Sequence, residues 1–366
     1  MSLSGHIITE VKAGEVRNRF PRLIGKNARL PEHGYGYSAR VVVIKTNTGY
    51  TGWGVGYADK TLKLLLEGKR VSDVFAPEIG ILDQGYVAAD IALHDLAGKI
   101  LGIPVSKMIN PNSQMKTKCY DGAIYFNDLS PKEDLGVERI VQDCIEDSKL
   151  GYNAFKVKVG RGNMWLGKEE GLKRDIDIVS AINKEFPNAE ILVDFNDGAD
   201  LESIKVFMES LPECNIYWIE EPFLESYDNC MQLREYLNKT SPNTLIADGE
   251  FDYCPEHVIS LAENGAIDVM LMDVLSYGFT AWRTLLKKCE KTGVKCSPHA
   301  WGYKLKTHII AHLAAAFPTI CPTIEGVIDT AEGVDYSGYV MNNGILSIPQ
   351  RSGFGMDVEF VRPYNI

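Results

Sequence analysis

From Ala154 onward, short apolar runs rich in β-branched residues alternate with longer stretches whose apolar positions recur at helical spacing. "AFKVKV" (154–159) precedes "EEGLKRDIDIVSAINKEF" (169–186), and "EILVDFN" (190–196) precedes "DLESIKVFMESL" (200–211). The same pairing recurs in "NIYWIEEP" (215–222) with "NCMQLREYLNK" (229–239), and in "TLIADGE" (244–250) with "PEHVISLAENG" (255–265). It continues through "IDVMLMD" (267–273), "TAWRTLLKKCEKTG" (280–293), "VKCSPHAWG" (294–302) and "KTHIIAHLAAAF" (306–317), ending at "CPTIEGV" (321–327). Strands alternating with helices of this length form parallel βαβ units. Adding "TKCYDGAIYF" (117–126) and a helix at about 133–150 gives eight strands and seven helices. The fold class is therefore α/β, a modified TIM barrel of (β/α)7β form over residues 117–330.

The first 116 residues carry a different pattern. "SARVVVIKTNTGYTGWGVGYA" predicts two antiparallel strands about a Thr-Gly turn, and "QGYVAADIALHDLAGKILG" predicts a helix. This α+β unit is expected to cap the barrel mouth, with a lid loop at about 16–37. The tail, 331–366, has strand and turn character and is expected to return to the cap.

Composition narrows the function classes. The 366-residue chain is 45% hydrophobic and 24% charged, with net charge −11 and a sequence pI near 5.2. An acidic surface would not attract nucleic acid or anionic membrane, so neither is expected as a partner. The eight cysteines show no close pair of the zinc or redox kind. They are expected to be small buried hydrophobes in a reducing compartment. "MSLSGHIITEV" has no basic region followed by a long apolar core, and no run of about 18 apolar residues occurs, so a cytoplasmic protein is expected.

Polar residues gather at the strand ends, where a barrel places its chemistry. The second strand offers Lys156 and Lys158, the third Asp194 and Asn196, and the fourth Glu220 and Glu221. The fifth offers Asp248 and Glu250, the sixth Asp273, the seventh His299 and the eighth Glu325. Three carboxylates on successive strands form a hard-oxygen set suited to Mg²⁺ rather than zinc. Asp273, on the strand next to His299, could orient the imidazole and raise its basicity. Lys158 faces that strand across the mouth, and Lys156 beside it is expected to lower its pKa.

These residues, with "IEEP" (219–222), "DGE" (248–250), "SPHAWG" (297–302) and the helix text "DIALHDLAGKILGIPV" (90–105), resemble the enolase superfamily in its mandelate racemase subgroup. The resemblance spans nearly the whole chain. It implies Mg²⁺ on Asp194, Glu220 and Glu250, with Glu221 competing for the place of Glu220 and Asp248 sharing the strand parity of Glu250. It implies Lys158 and His299 as the two acid/base groups, His299 being held by Asp273, with Lys156 assisting Lys158 and the substrate carboxylate. Glu325 would sit near the carboxylate or enolate oxygen, and Asn196 would contact substrate. Relatives are commonly homo-oligomers, which is the expectation for this chain too.

The implied substrate is a small carboxylic acid whose α-proton is removed to give an enediolate. Loss of a β-hydroxyl would then give a 2-keto-3-deoxy acid, and reprotonation on the other face would give racemisation or epimerisation. "VMLMDVL" offers no lysine on the sixth strand, which counts against relatives of muconate-lactonising enzymes and dipeptide epimerases. The segment 16–37 carries Arg17, Arg19, Arg22, Lys26 and Arg29. Cations over the pocket, Arg22 among them, would suit a sugar acid or aldaric acid, and so favour a dehydratase. Trp301 stands between pocket wall and packing. His308 and His312 lack the HExxH pattern and belong to a helix expected outside the barrel, and "GYTGWGVG" (49–56) lacks the helix a dinucleotide fingerprint needs.

Overall fold

The computed structural model describes residues 2–129, 134–251, 254–358 and 362–364. The chain opens with three antiparallel strands, β1 (Ile8–Ile24), β2 (Gly34–Thr46) and β3 (Thr51–Val55), on which helix α1 (Asp90–Leu101) packs. The segment 16–37, expected as a lid loop, is mostly strand, because β1 and β2 stay paired as far as Arg19 opposite Gly36 and Ile24 opposite Gly34. Only 25–33 remains as the connection. A Cβ at Gly36 would lie 2.0 Å from the Asn18 carbonyl oxygen, so the hairpin can close this tightly only with glycine there.

The barrel strands follow in order. They are β4 (Lys116–Ile124), β5 (Ala154–Lys158), β6 (Glu190–Asp194), β7 (Ile216–Glu220), β8 (Leu245–Asp248), β9 (Val269–Met270), β10 (Lys295–Cys296) and β11 (Thr323–Gly326). Between them run α2 (Gly136–Ser148), α3 (Lys168–Glu185), α4 (Leu201–Glu209), α5 (Tyr227–Thr240), α6 (Pro255–Glu263), α7 (Phe279–Thr292) and α8 (Lys304–Ala316). Parallel pairing runs from β4 to β10 in sequence order, and β11 pairs in parallel with the other edge of β4. The Cys296 amide donates to the Ile320 carbonyl at 2.9 Å and links the remaining edge. Each strand lies against apolar helix faces, such as Ile178 and Ile182 of α3 and Leu285 and Leu286 of α7. Tyr120, Leu192, Trp218, Ala247, Val269 and Leu271 form a separate buried layer.

Cap and tail meet at a buried carboxylate. Asp95 of α1 accepts the amides of Trp53 at 3.0 Å and Phe354 at 2.9 Å, and pairs with Lys99 at 2.7 Å. Residues 362–364 add an antiparallel strand to β1, while Ile345–Ser347 pairs with the start of β4, so the tail touches both units. Asp90 accepts the amide and hydroxyl of Thr280 at 2.7 Å each, fixing the cap to α7. His308 and His312 are buried on α8, where His308 stacks on Tyr339 at 4.0 Å and His312 accepts the Ser106 amide at 3.0 Å. Among the described residues no helix is long and apolar enough to cross a membrane.

Candidate active site

Strand register sets the first layer of the site. Lys158 stands opposite Asp194 and Asp194 opposite Glu220, so the three project to the same side of adjacent strands. Lys156 lies one step lower on the same side. Its ammonium donates to Glu220 at 2.6 Å and lies 2.8 Å from Glu325 and 3.5 Å from Asp194. Both lysines are buried and both meet acids, which answers the desolvation cost of placing them there. Burial opposes the Lys156 charge, but Glu220 and Glu325 outweigh it and hold the pKa well above the ordinary value.

Beyond the strand ends the backbone turns sharply. Asn196, Asp197 and Glu221 have φ of 44°, 56° and 42°, a left-handed region unusual for residues with a Cβ. The turn is held by hydrogen bonds that outlast the ladder, with the Phe195 amide donating to Glu220 O at 3.0 Å and the Glu221 amide to Ala247 O at 3.0 Å. Carboxylate oxygens of Asp194, Glu221 and Glu250 consequently lie within 4.8 Å of one another. Glu221 Oε1 and Glu250 Oε2 are buried and make no hydrogen bond among the described residues. Burial, followed by the charges of Glu250, Asp194, Asp248 and Asp197, pushes the Glu221 carboxyl well up. A crowded, all-oxygen set with free lone pairs fits a hard divalent cation.

Glu220, expected in that set, is placed otherwise. Its two oxygens accept from Lys156 and from the Trp218 indole N–H at 3.0 Å, and it stands outside the group formed by Asp194, Glu221 and Glu250. Its even-numbered step along β7 keeps it among the inward side chains, and the left-handed Glu221 is the residue turned to the cluster. Asp248 accepts the Gly249 amide at 2.7 Å and stands outside the three-carboxylate group.

The seventh strand supplies the opposite wall. Asp273 and His299 form an isolated parallel bridge, and His299 Nδ1 donates to Asp273 Oδ2 at 3.2 Å, leaving Nε2 toward the cluster, 3.2 Å from Glu250 and 3.6 Å from Glu325. Burial lowers the imidazole pKa, but Glu250, Glu325 and the Asp273 hydrogen bond raise it further, and the net direction is up. Asp273 also caps the following turn through the Leu275 amide at 2.8 Å and meets Lys306 at 2.5 Å. Burial raises its pKa, and Lys306 with His299 more than reverses that. Lys306 is a partner the sequence did not disclose, because it lies in the first turn of α8 and reaches Asp273 only through the fold. Glu325 accepts the Ala300 amide at 2.9 Å; burial raises its pKa, and Lys156 and His299 bring it down to about 2.

Lys158 departs from expectation in its charge. Burial and Lys156 push its pKa down, yet Asp194, which accepts its hydrogen bond, leads Glu250 and Glu220 in pushing it up, and the acids prevail. Asn196 donates from Nδ2 to Glu221 Oε2 at 3.1 Å, with its amide to Asp194 Oδ1 at 2.9 Å, so it buttresses the acids. Trp301 stacks on Tyr125 at 4.7 Å and on Phe20 at 5.7 Å, forming an aromatic wall beside Lys158, which lies 5.1 Å from the Tyr125 ring.

Arg22 is not over the pocket. Its guanidinium donates to both oxygens of Asp147 at 2.6 Å and lies 3.1 Å from Asp143, on the side of α2. β1 runs on to Ile24, so Arg22 is held in strand rather than in a loop, and its guanidinium also lies 3.4 Å from the Ala123 carbonyl oxygen of β4. The other cations are dispersed: Arg19 pairs with Glu332, Lys26 with Glu32, and Arg29 with Asp197.

The sequence matches the enolase C-terminal domain-like family over residues 140–360, more than half of the chain. The chain belongs to the enolase superfamily. Within it, the chain is 26% identical over 242 residues to the L-talarate/galactarate dehydratase of Salmonella typhimurium, covering 65% of this chain and 54% of that protein. It is 29% identical over 188 residues to the D-gluconate/D-galactonate dehydratase of Picrophilus torridus, covering 51% and 46%. It thus spans about half the length of these curated relatives. Among solved structures, the galacturonate dehydratase from Geobacillus sp. with D-galacturonate and 5-keto-4-deoxy-D-galacturonate superposes at TM-score 0.90, with 31% identity over 97% of this chain and 95% of that one. A mandelate racemase/muconate lactonizing protein from Geobacillus sp. Y412MC10, complexed with magnesium and tartrate, superposes at 0.90 with 30% identity over 97% and 93%. The barrel and the N-terminal sheet are those of this superfamily's structures.

Proposed function

We propose that this chain is a Mg²⁺-dependent acid-sugar dehydratase, with Asp194, Glu221 and Glu250 as the metal ligands. The observation that carries the reading is convergence: Lys158 reaches the three-carboxylate group through Asp194, and His299 Nε2 reaches it through Glu250 from the seventh strand. A carboxylate held there has one proton-transfer group on each side. When bound there, Mg²⁺ would supply the positive charge that stabilises negative charge building on the substrate carboxylate.

The remaining steps belong to the chain's own residues. Lys158 or His299 takes the α-proton, and the C–H electron pair moves into the carboxylate. Lys156, fixed between Glu220 and Glu325, keeps a positive charge beside those oxygens. The pair of electrons then expels the β-hydroxyl, which leaves as water with a proton from the other group, and His299, held by Asp273, is suited to give it. The enol product tautomerises to a keto acid. Dehydratases of galactarate, gluconate and galacturonate among the relatives support an aldarate, aldonate or uronate as substrate.

The second reading, epimerisation of a 2-hydroxy acid, uses the same two groups without loss of hydroxyl. It is favoured by their opposed placement on the second and seventh strands. The test is an NMR screen of acid sugars in D₂O with Mg²⁺ and with chelator. Metal-dependent keto-acid formation is the expected result. Deuterium at the α-carbon without elimination would support epimerisation, and neither outcome with any acid would overturn both.

A further inference from the structure

The connection 25–33 brings one more titratable ring to the pocket. We propose that His33 is a specificity-determining residue whose Nε2 accepts a hydrogen bond from a hydroxyl group of the acid substrate. The inference rests on the reading of the site as an acid-sugar pocket and adds to it a contact for the sugar hydroxyls.

The ring is held from several directions. Its Nδ1 lies 2.9 Å from the Gly25 carbonyl oxygen, which can only accept, so Nδ1 carries the proton. Nε2 then presents its lone pair and makes no hydrogen bond among the described residues. The ring stands edge-on to Tyr125 at 4.7 Å and to Trp301 at 6.1 Å, the aromatic wall beside Lys158. Burial lowers the His33 pKa, aided by the Lys158 charge against the pull of Gly25 O and Glu250, so the ring is neutral near pH 7. The His33 ring at 4.7 Å and the Lys158 ammonium at 5.1 Å both pack on Tyr125, which places His33 at the same wall as Lys158.

Its backbone is also fixed. The His33 amide donates to Ile24 O at 2.9 Å, the Phe126 amide to Lys26 O at 2.9 Å, and the Trp165 indole to Asn27 O at 2.6 Å. A neutral acceptor on an immobilised loop suits a hydroxyl, not a second carboxylate, which would need a donor.

The experiment uses the Mg²⁺-loaded protein and two diacids, tartrate with its two hydroxyls and succinate with none, titrated calorimetrically. His33→Phe keeps the aromatic contacts and removes the acceptor. It should weaken tartrate by about tenfold, the effect of one neutral hydrogen bond, and leave succinate within about twofold. His33→Gln, which returns an acceptor near the Nε2 position, should restore tartrate to within about threefold of wild type. Equal weakening of both diacids by His33→Phe, or no change in either, would overturn the inference by making His33 packing alone. An unchanged tartrate affinity in His33→Phe alongside metal-dependent keto-acid formation by the wild-type protein would overturn the His33 contact and leave the acid-sugar reading standing, whereas no keto acid from any acid sugar would overturn that reading itself.

Discussion

The ends of the second and fourth barrel strands handle the same problem differently. On β5, Lys156 and Lys158 are two residues apart in unbroken strand, so both face inward and both are met by acids. On β7, regular strand stops at Glu220, and the next residue takes φ of 42°. Glu220 stays inside with Lys156 and Trp218, whereas Glu221 swings to Asp194 and Glu250. Alternation assigns side chains only while the pleat lasts. A single left-handed residue at a strand end hands the place in the three-carboxylate cluster to the neighbour that alternation would exclude.

The largest effects should come from the two proton-transfer groups. Lys158→Ala or His299→Asn should each reduce turnover at least about a thousandfold, with the circular dichroism spectrum unchanged. Substantial turnover in both variants would undo the pairing of the second and seventh strands. Asp273→Asn should have a smaller effect on turnover and shift the pH profile, since it alters how His299 is held without removing it.

Next in size is a contrast in stability. Arg22→Ala should destabilise the fold by about 3 kcal/mol, because it strands the buried Asp143 and Asp147, while leaving kcat/KM unchanged. A variant that folds as well as wild type yet loses substrate binding would restore Arg22 to the pocket. Thermal denaturation alongside kinetics separates the outcomes.

The smallest expected effect concerns α8, where helical periodicity held throughout. Burial lowers His312 to about 3 and His308 well below its ordinary value. A depressed native pKa means the unfolded chain binds the proton first. The stability is thus complete above the unfolded value near 6.5 and is lost as pH falls toward 3. Tm should be flat from pH 8 to 7 and decline below about 6.5, with a shallower decline in His312→Gln. An identical pH dependence in the variant would contradict the buried neutral assignment.

The alternating apolar pattern disclosed the barrel and its strand order because each βα unit is a local, periodic signal. The same pattern located Lys158, Asp194, Glu250, Asp273, His299 and Glu325 at the mouth. It did not disclose contacts made between distant segments or at the turns that end the strands. Arg22 looked like a loop cation because the run of charges hid a long hairpin. The choice between Glu220 and Glu221 stayed open in the sequence because a positive φ leaves no composition mark at a glutamate. Lys306 and His33 gave no local signal, since each acquires its partner from a distant segment, Asp273 for one and Tyr125 for the other. The acid that meets Lys158 gave no local signal either: Lys156 is two residues away in sequence, whereas Asp194 is its neighbour only in the sheet.

The most direct measurement is calorimetric titration of Mg²⁺ into wild-type protein, Glu221→Gln and Glu220→Gln, each first shown to be folded. Glu221→Gln should weaken Mg²⁺ at least about tenfold, and Glu220→Gln should stay within about threefold while lowering Tm. The reverse ranking, with Glu220→Gln losing the metal and Glu221→Gln retaining it, would contradict the assignment of the site to the turned residue.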